Sequence, residues 1–187
     1  MPWNRFVLGY HGCDKALAHR VVAGEVKLQP SRNDYDWLGH GLYFWEDSPA
    51  RALLWANAAA ARVGSSVQVP AVLGAVIDLG NCLNLTESEH LGAVALAYRR
   101  LEAVTMASGI SLPENSGRER KLRRLDCAVF EALHESREGE GPPPFDTVRA
   151  YFQEGEPLYP TAGIRNLDHV QICVRNPGVV KGYFLPR

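Results

Sequence analysis

The chain has 187 residues, 46% of them hydrophobic and 22% charged, with 20 basic residues against 21 acidic ones for a net charge of −1. That length suits a single domain spanning 1–187 with a full core. The balanced charge excludes a broad basic nucleic-acid surface, although a local basic patch stays open.

In chain order, Phe6 to Tyr10 is a short β-prone run ending at His11-Gly12. Asp14 is placed to N-cap a helix over Lys15–Ala23, stopped by Gly24. Residues 29–40 are rich in turn formers and read as a long loop. Gly41 to Glu46 is aromatic and strand-like. Ser48-Pro49 opens an alanine-rich helix that runs to about Val63 and stops at Gly64. Val67 to Leu79 is β-branched, with a break or bulge expected at Pro70 and Gly74. Thr86-x-x-Glu89 fits a capping box before a helix to Ala107. Ile110–Ser116 is a loop, and Arg118 to His134 reads as a helix with Leu122, Leu125, Val129 and Leu133 on one face. Residues 136–147 form the clearest flexible segment. Strands follow at Val148–Phe152, Val170–Val174 and Val179–Phe184, with a loop over Gly155–Asp168. Strands and helices mix without a βαβ rhythm, which predicts an α+β fold with largely antiparallel sheets.

Cys13, Cys82, Cys127 and Cys173 are widely spaced with no CxxC pair. Neither a zinc site nor a disulfide framework is expected. The opening MPWNRFVLGY lacks the apolar stretch of a signal peptide, and no run approaches the roughly 18 apolar residues of a membrane span. A cytoplasmic protein without membrane contact is expected. No GxGxxG follows a strand, so a Rossmann nucleotide site is not supported.

Three segments carry chemistry. The first is Leu8-Gly9-Tyr10-His11-Gly12-Cys13. The second is Gly39-x-Gly41-Leu42-Tyr43-Phe44-x-Glu46, followed by Arg51-Ala52-x-x-Trp55. The third is Asp168-His169-Val170-Gln171-Ile172-Cys173-Val174-Arg175-Asn176-Pro177. In this order they resemble the catalytic core of the ADP-ribosyltransferases, in the diphtheria-toxin and poly(ADP-ribose) polymerase branch. The resemblance runs from residue 8 to residue 184. It implies a split β-sandwich of two antiparallel sheets with flanking helices and NAD in the cleft between them.

It also implies roles. His11 bonds the adenosine ribose, and the backbone of Gly12 holds the nicotinamide amide, which needs a donor and an acceptor side by side. Cys13 stands where the family has a small residue touching that amide. Gly41, Tyr43 and Phe44 belong to the nicotinamide strand, and Tyr43 with Trp55 stacks the pyridinium. Trp55 matches only with a one-residue insertion; strict spacing lands on Leu54. Arg32, in a loop dense in polar and aromatic groups, faces the pyrophosphate or belongs to an ordinary loop.

One position departs from the pattern. The family's catalytic glutamate falls on Gln171, six residues before Pro177. The glutamate's negative charge would stabilise the cation that forms as nicotinamide leaves, and a neutral amide does not. Three readings stay open: a slow enzyme, a carboxylate supplied from elsewhere, or a site that only binds. Glu154 and Glu156 are the candidate substitutes. Glu46 and Asp47 are read as helix caps, and His169 and Cys173 as core and edge residues. The run from Arg118 to Arg124 reads as a solvated helix face or a patch for a phosphate-bearing acceptor, with Arg149 and Arg165 as further candidates.

The resemblance therefore implies an NAD-dependent mono-ADP-ribosyltransferase needing no metal. Its acceptor would be protein, RNA or DNA. By analogy with compact bacterial members, it would act as a toxin or in phage defence, with a cognate antitoxin or immunity protein. The rivals are an NAD or ADP-ribose-binding module without turnover, an NAD-dependent RNA 2′-phosphotransferase, and a domain kept for protein contacts.

Overall fold

Strand β1 (Phe6–Asp14) is the organising element of the computed structural model, which describes residues 6–138 and 141–187. The N-terminal Met1–Arg5 and two residues of the turn-rich segment 136–147 lie outside the described residues. β1 pairs antiparallel with β3 (Pro70–Asp78) along its whole length, from Phe6↔Asp78 to Asp14↔Pro70. Its last residue, Asp14, accepts a 2.8 Å bond from the Ala16 amide and so caps α1 (Lys15–Val22), as the sequence predicts. The other carboxylate oxygen accepts from the Gln68 and Val69 amides, fixing the approach to β3. Gly24 follows α1 at φ +74°, the left-handed stop a glycine permits.

Loop 29–40 is built around the buried carboxylate of Asp36. It accepts from the Ser31 hydroxyl at 2.9 Å and the Asn33 amide at 3.1 Å. β2 (Leu42–Glu46) then leads into α2 (Pro49–Ala60), with proline in the first turn and no side-chain cap from Ser48. β4 (Cys82–Asn84), α3 (Ser88–Ala107), β5 (Asn115–Ser116) and β6 (Leu122–Arg123) follow. The chain closes with α4 (Arg124–Glu138), β7 (Thr147–Phe152), β8 (His169–Val174) and β9 (Val180–Phe184).

Three local expectations are corrected. β3 runs unbroken through Gly74, because the glycine makes room for the Phe184 ring of β9: a Cβ there would lie 2.4 Å from it. The capping box does not form; Thr86 donates instead to Asn84 at 2.9 Å, and α3 starts at Ser88. The helix expected from Arg118 starts at Arg124. Asn115 Oδ1 accepts from the Leu125 and Asp126 amides and pins the helix start there, leaving 115–123 as a small two-stranded ribbon with Glu119 and Arg120 at positive φ.

The main sheet has the order β4-β7-β8-β2-β1-β3-β9, with every neighbour antiparallel except β4 and β7. The fold is thus α+β with a seven-stranded mixed sheet, a two-stranded ribbon and four α-helices among the described residues. The described strands form one hydrogen-bonded sheet rather than two separate ones. Yet β1 and β2 share only the pairs Gly9↔Glu46 and Tyr10↔Trp45, and then part.

The period-2 alternation of strands sorts the core onto two faces. Leu42, Phe44, Ile172 and Val174 join Ala18 and Val21 of α1 on one. Cys173, Val148, Ala150 and Phe152 join Val129, Phe130 and Leu133 of α4 and Ala97 of α3 on the other. Gly12 faces α2: a Cβ there would sit 2.2 Å from the Ala52 carbonyl oxygen. Since Gly12, Tyr10 and Trp45 share a face, α2 covers β1 on the same side as α3 and α4 cover β7 and β8. The middle of that face, over β2 and β8, lies between them. No helix among the described residues is long and apolar enough to cross a membrane.

Candidate functional site

The three motif segments lie far apart in the chain but fall on β1, β2 and β8, which are neighbours in the sheet in the order β8-β2-β1. Where β1 and β2 part, the His11 ring spans the opening. Its Nδ1–H donates to the Tyr43 carbonyl at 2.8 Å, because a carbonyl can only accept. Burial holds the imidazole below its usual pKa, against the raising effect of that bond. The ring is neutral at physiological pH, and Nε2 carries the lone pair.

Tyr43 is half-buried. Its hydroxyl donates to the Gly39 carbonyl at 2.6 Å and accepts from the Leu38 amide at 2.9 Å, tying the 31–41 loop to the strand. Burial pushes the phenol well above its ordinary pKa. Gly41 is a glycine for a packing reason: a Cβ would lie 2.5 Å from Cys173 Sγ and 2.7 Å from the Val174 carbonyl oxygen. Phe44 is fully buried against the His11 ring at 5.9 Å. Trp55 is partly exposed and lies 6.1 Å from the Trp45 ring, while Leu54 is exposed.

Gln171 sits opposite Trp45 on β2 and opposite Ala150 on β7. Two residues before it and on the same face, His169 is boxed by the rings of Trp37, Trp45 and Phe152 at 6.4, 6.3 and 5.8 Å. His169 Nδ1 donates to the Leu167 carbonyl at 2.8 Å, so Nε2 is a bare acceptor; burial lowers its pKa. The Arg51 guanidinium lies 5.4 Å from the Trp45 ring centre, and that of Arg123 lies 4.0 Å from the Trp37 ring centre.

Buried polar atoms are normally paired. Among the described residues, those without a protein partner are Trp45 Nε1, Arg51 Nε, Arg123 Nε, His169 Nε2, Gln171 Oε1 and both ring nitrogens of His134. All but the His134 pair belong to this patch. Three are donors and two are acceptors, an inventory that complements hydroxyl groups, which do both.

Glu154 closes the patch. It pairs with Arg51 at 2.5 Å and Lys121 at 3.0 Å, with His169 Nδ1 at 3.8 Å. Burial alone would raise its pKa, but the Lys121 and Arg51 contacts hold it below the usual value. It is a carboxylate whose charge is already answered. Glu46, expected to cap a helix, instead receives a bidentate pair from Arg149 at 2.5 and 2.9 Å.

Other expected residues lie elsewhere. Glu156 is 74% exposed and meets only Arg118, at 3.9 Å, so it is outside the patch. Arg32 is exposed and makes no ion pair or side-chain hydrogen bond. Cys13 is buried in the core with α1 and burial pushes its thiol up to about 11; its position is a packing one, not the ligand contact expected of it. His40 is turned to Glu131, its amide donating at 2.8 Å. Of the basic run, Lys121 and Arg123 reach the cleft from the ribbon, whereas Arg118 is 86% exposed and Arg124 pairs with Asp34. Arg165 bonds the Gly155 carbonyl within its own loop.

Sequence reasoning missed Trp45 and took His169 for a core or edge residue. The signal for both was period 2: Trp45 is two residues after Tyr43, and His169 two before Gln171, which places each pair on one face. Lys121 and Arg123 carried no such signal. Among the described residues no group of His, Cys, Asp and Glu is arranged to hold a metal.

No protein-family model and no solved structure matches the chain. An uncharacterized protein of the archaeon Methanocaldococcus jannaschii is 26% identical over 200 residues, covering 97% of this chain and 87% of the archaeal one. The similarity therefore spans the whole domain, strands and cleft included.

Proposed function

We propose that the chain binds NAD across the β1–β2 opening, in the manner of the ADP-ribosyltransferases, and transfers ADP-ribose to a macromolecule. The observation that carries this reading is the adjacency of β8, β2 and β1, which gathers His11, Tyr43 and Gln171 from three distant segments.

Each residue has a part in keeping with its surroundings. His11, neutral and fixed by the Tyr43 carbonyl, offers Nε2 to a ribose hydroxyl. Gly12 offers a backbone without a side chain beside α2. Tyr43 and Trp55 supply aromatic surface for nicotinamide, with Trp45 beside them. Gln171 accepts a bond from a hydroxyl of the nicotinamide ribose. The bond between ribose C1′ and the pyridinium nitrogen breaks, its electrons leaving with nicotinamide and discharging the ring. The acceptor's nucleophile then bonds C1′ and releases its proton. Gln171 adds no charge to stabilise the cation between these events, and Glu154 is neutralised by Arg51 and Lys121, so turnover is slow.

The same two facts favour a second reading, a module that recognises NAD or ADP-ribose without cleaving it. Adenylate-labelled NAD mixed with purified protein and a bacterial lysate separates the two. Macromolecular label that is lost with His11→Ala supports transfer, and its sensitivity to protease, DNase or RNase names the acceptor. Absence of label with NAD still raising the melting temperature supports the binding module. Absence of both overturns the NAD reading.

A further inference from the structure

Helix α3 is twenty residues long, yet it fully buries only Ala97. Beneath it lies a cavity of about 520 Å³, within the range of small-molecule sites. Protein interiors are close-packed, so a void of that size under a helix is unlike a finished core. The α3 residues on it are Leu91, Val94, Ala95 and Tyr98, the i, i+3, i+4, i+7 stripe of one helix face. Its opposite wall is aromatic: Trp37, Phe130 and Phe152.

The charge on this apolar lining is lopsided. Arg99, Arg123 and Asp126 are its ionic residues. Asp126 is engaged by Arg123 at 3.5 Å and by the Asn115 amide group at 2.7 Å. Arg99 is exposed and makes no ion pair or side-chain hydrogen bond. One unanswered guanidinium therefore stands over an aromatic and aliphatic cavity.

We infer that the cavity beneath α3 binds an organic anion with an apolar body, its carboxylate or phosphate monoester held by Arg99. The apolar part lies between the Val94–Tyr98 stripe and the Trp37 and Phe152 rings. The site is separate from the NAD reading and does not rest on it. Trp37 and Phe152 form a wall between this cavity and His169.

The test is titration calorimetry with decanoate, decyl phosphate and decanol on the full chain. The variants Arg99→Glu and Ala95→Trp both alter exposed helix positions. Saturable one-to-one binding of an anion is expected, with decanol weaker by about tenfold, the worth of one charged hydrogen bond. Arg99→Glu should weaken the anion to the level of decanol and leave decanol unchanged, while Ala95→Trp should abolish binding of all three. The tighter of the two anions identifies the headgroup. No saturable binding of either anion, equal affinity for decanol, or full binding by Ala95→Trp would overturn the inference.

Discussion

Gln171 faces Trp45 across the β2–β8 ladder, and neither the amide oxygen of the one nor the indole N–H of the other has a protein partner. Under the proposed function this is where a ribose hydroxyl docks. Gln171→Glu places a charge beside the developing cation and should raise nicotinamide release on the order of a hundredfold. A fluorescent NAD analogue assayed with both forms checks this; a Glu variant no faster than the parent would detach Gln171 from the chemistry.

His11→Ala removes the bond to the Tyr43 carbonyl and the acceptor at Nε2. The fold should lose about 1 kcal/mol, the net worth of one hydrogen bond. NAD affinity should fall by more than that loss would give. Urea melts set beside calorimetric NAD titrations separate the two effects.

Breaking the ion pair at Glu154 tests the cleft's electrostatics. Glu154→Gln leaves Arg51, only 12% exposed, without its carboxylate, and should cost about 3 kcal/mol. The pKa of Glu154 is lowered in the fold, so its contribution is present above the unfolded carboxylate value and lost as pH falls through the folded one. Chemical denaturation at pH 7 and at pH 4 should therefore show the variant's deficit shrinking in acid.

His134 works in the opposite pH region. Buried with neither nitrogen bonded, it has its pKa driven down to about 3, chiefly by burial, with Arg175 adding to the effect. Below its unfolded value of 6.5 the unfolded chain takes up a proton that the folded chain refuses. Stability should fall as pH drops from there toward 3, by up to about 1.4 kcal/mol per unit from this group. His11 and His169 shift the same way, so His134→Leu should make the slope shallower without removing it. Denaturation midpoints at pH 5 and pH 7.5 give the comparison.

Gly12→Ala drives a methyl group into the Ala52 carbonyl. Helix α2 must lift from β1, at a cost of about 2 kcal/mol. The melting temperature should drop, and NAD binding with it. An unchanged melting temperature would mean that α2 is not seated on β1 as described.

Where local chemistry governs, sequence and structure agree. Asp14 caps α1, Pro49 opens α2, and the aromatic run at 42–46 is a strand. Where the reason for a residue lies across the molecule, they part. Gly74 is read locally as a strand breaker, but it exists for Phe184, which only β9 brings alongside. The start of α4 is set by Asn115, a side chain outside the helix that no periodicity reveals. The cleft divides in the same way. His11, Tyr43, Gln171 and Glu154 stand out in the chain as motif residues or nearby acids. Lys121 and Arg123 reach it through a ribbon that looks helical in sequence.

The short β1–β2 ladder has a mechanical consequence. Four strands lie on one side of it and three on the other, and the backbone joint between the two groups is two residue pairs long. The sheet is thus two leaves on a narrow hinge, stapled further along by one imidazole. A ligand that competes for His11 would loosen the staple as it enters, and one that bridges the leaves would replace it. In either case the angle between the leaves, rather than the contents of either core, is the coordinate along which this molecule yields most easily.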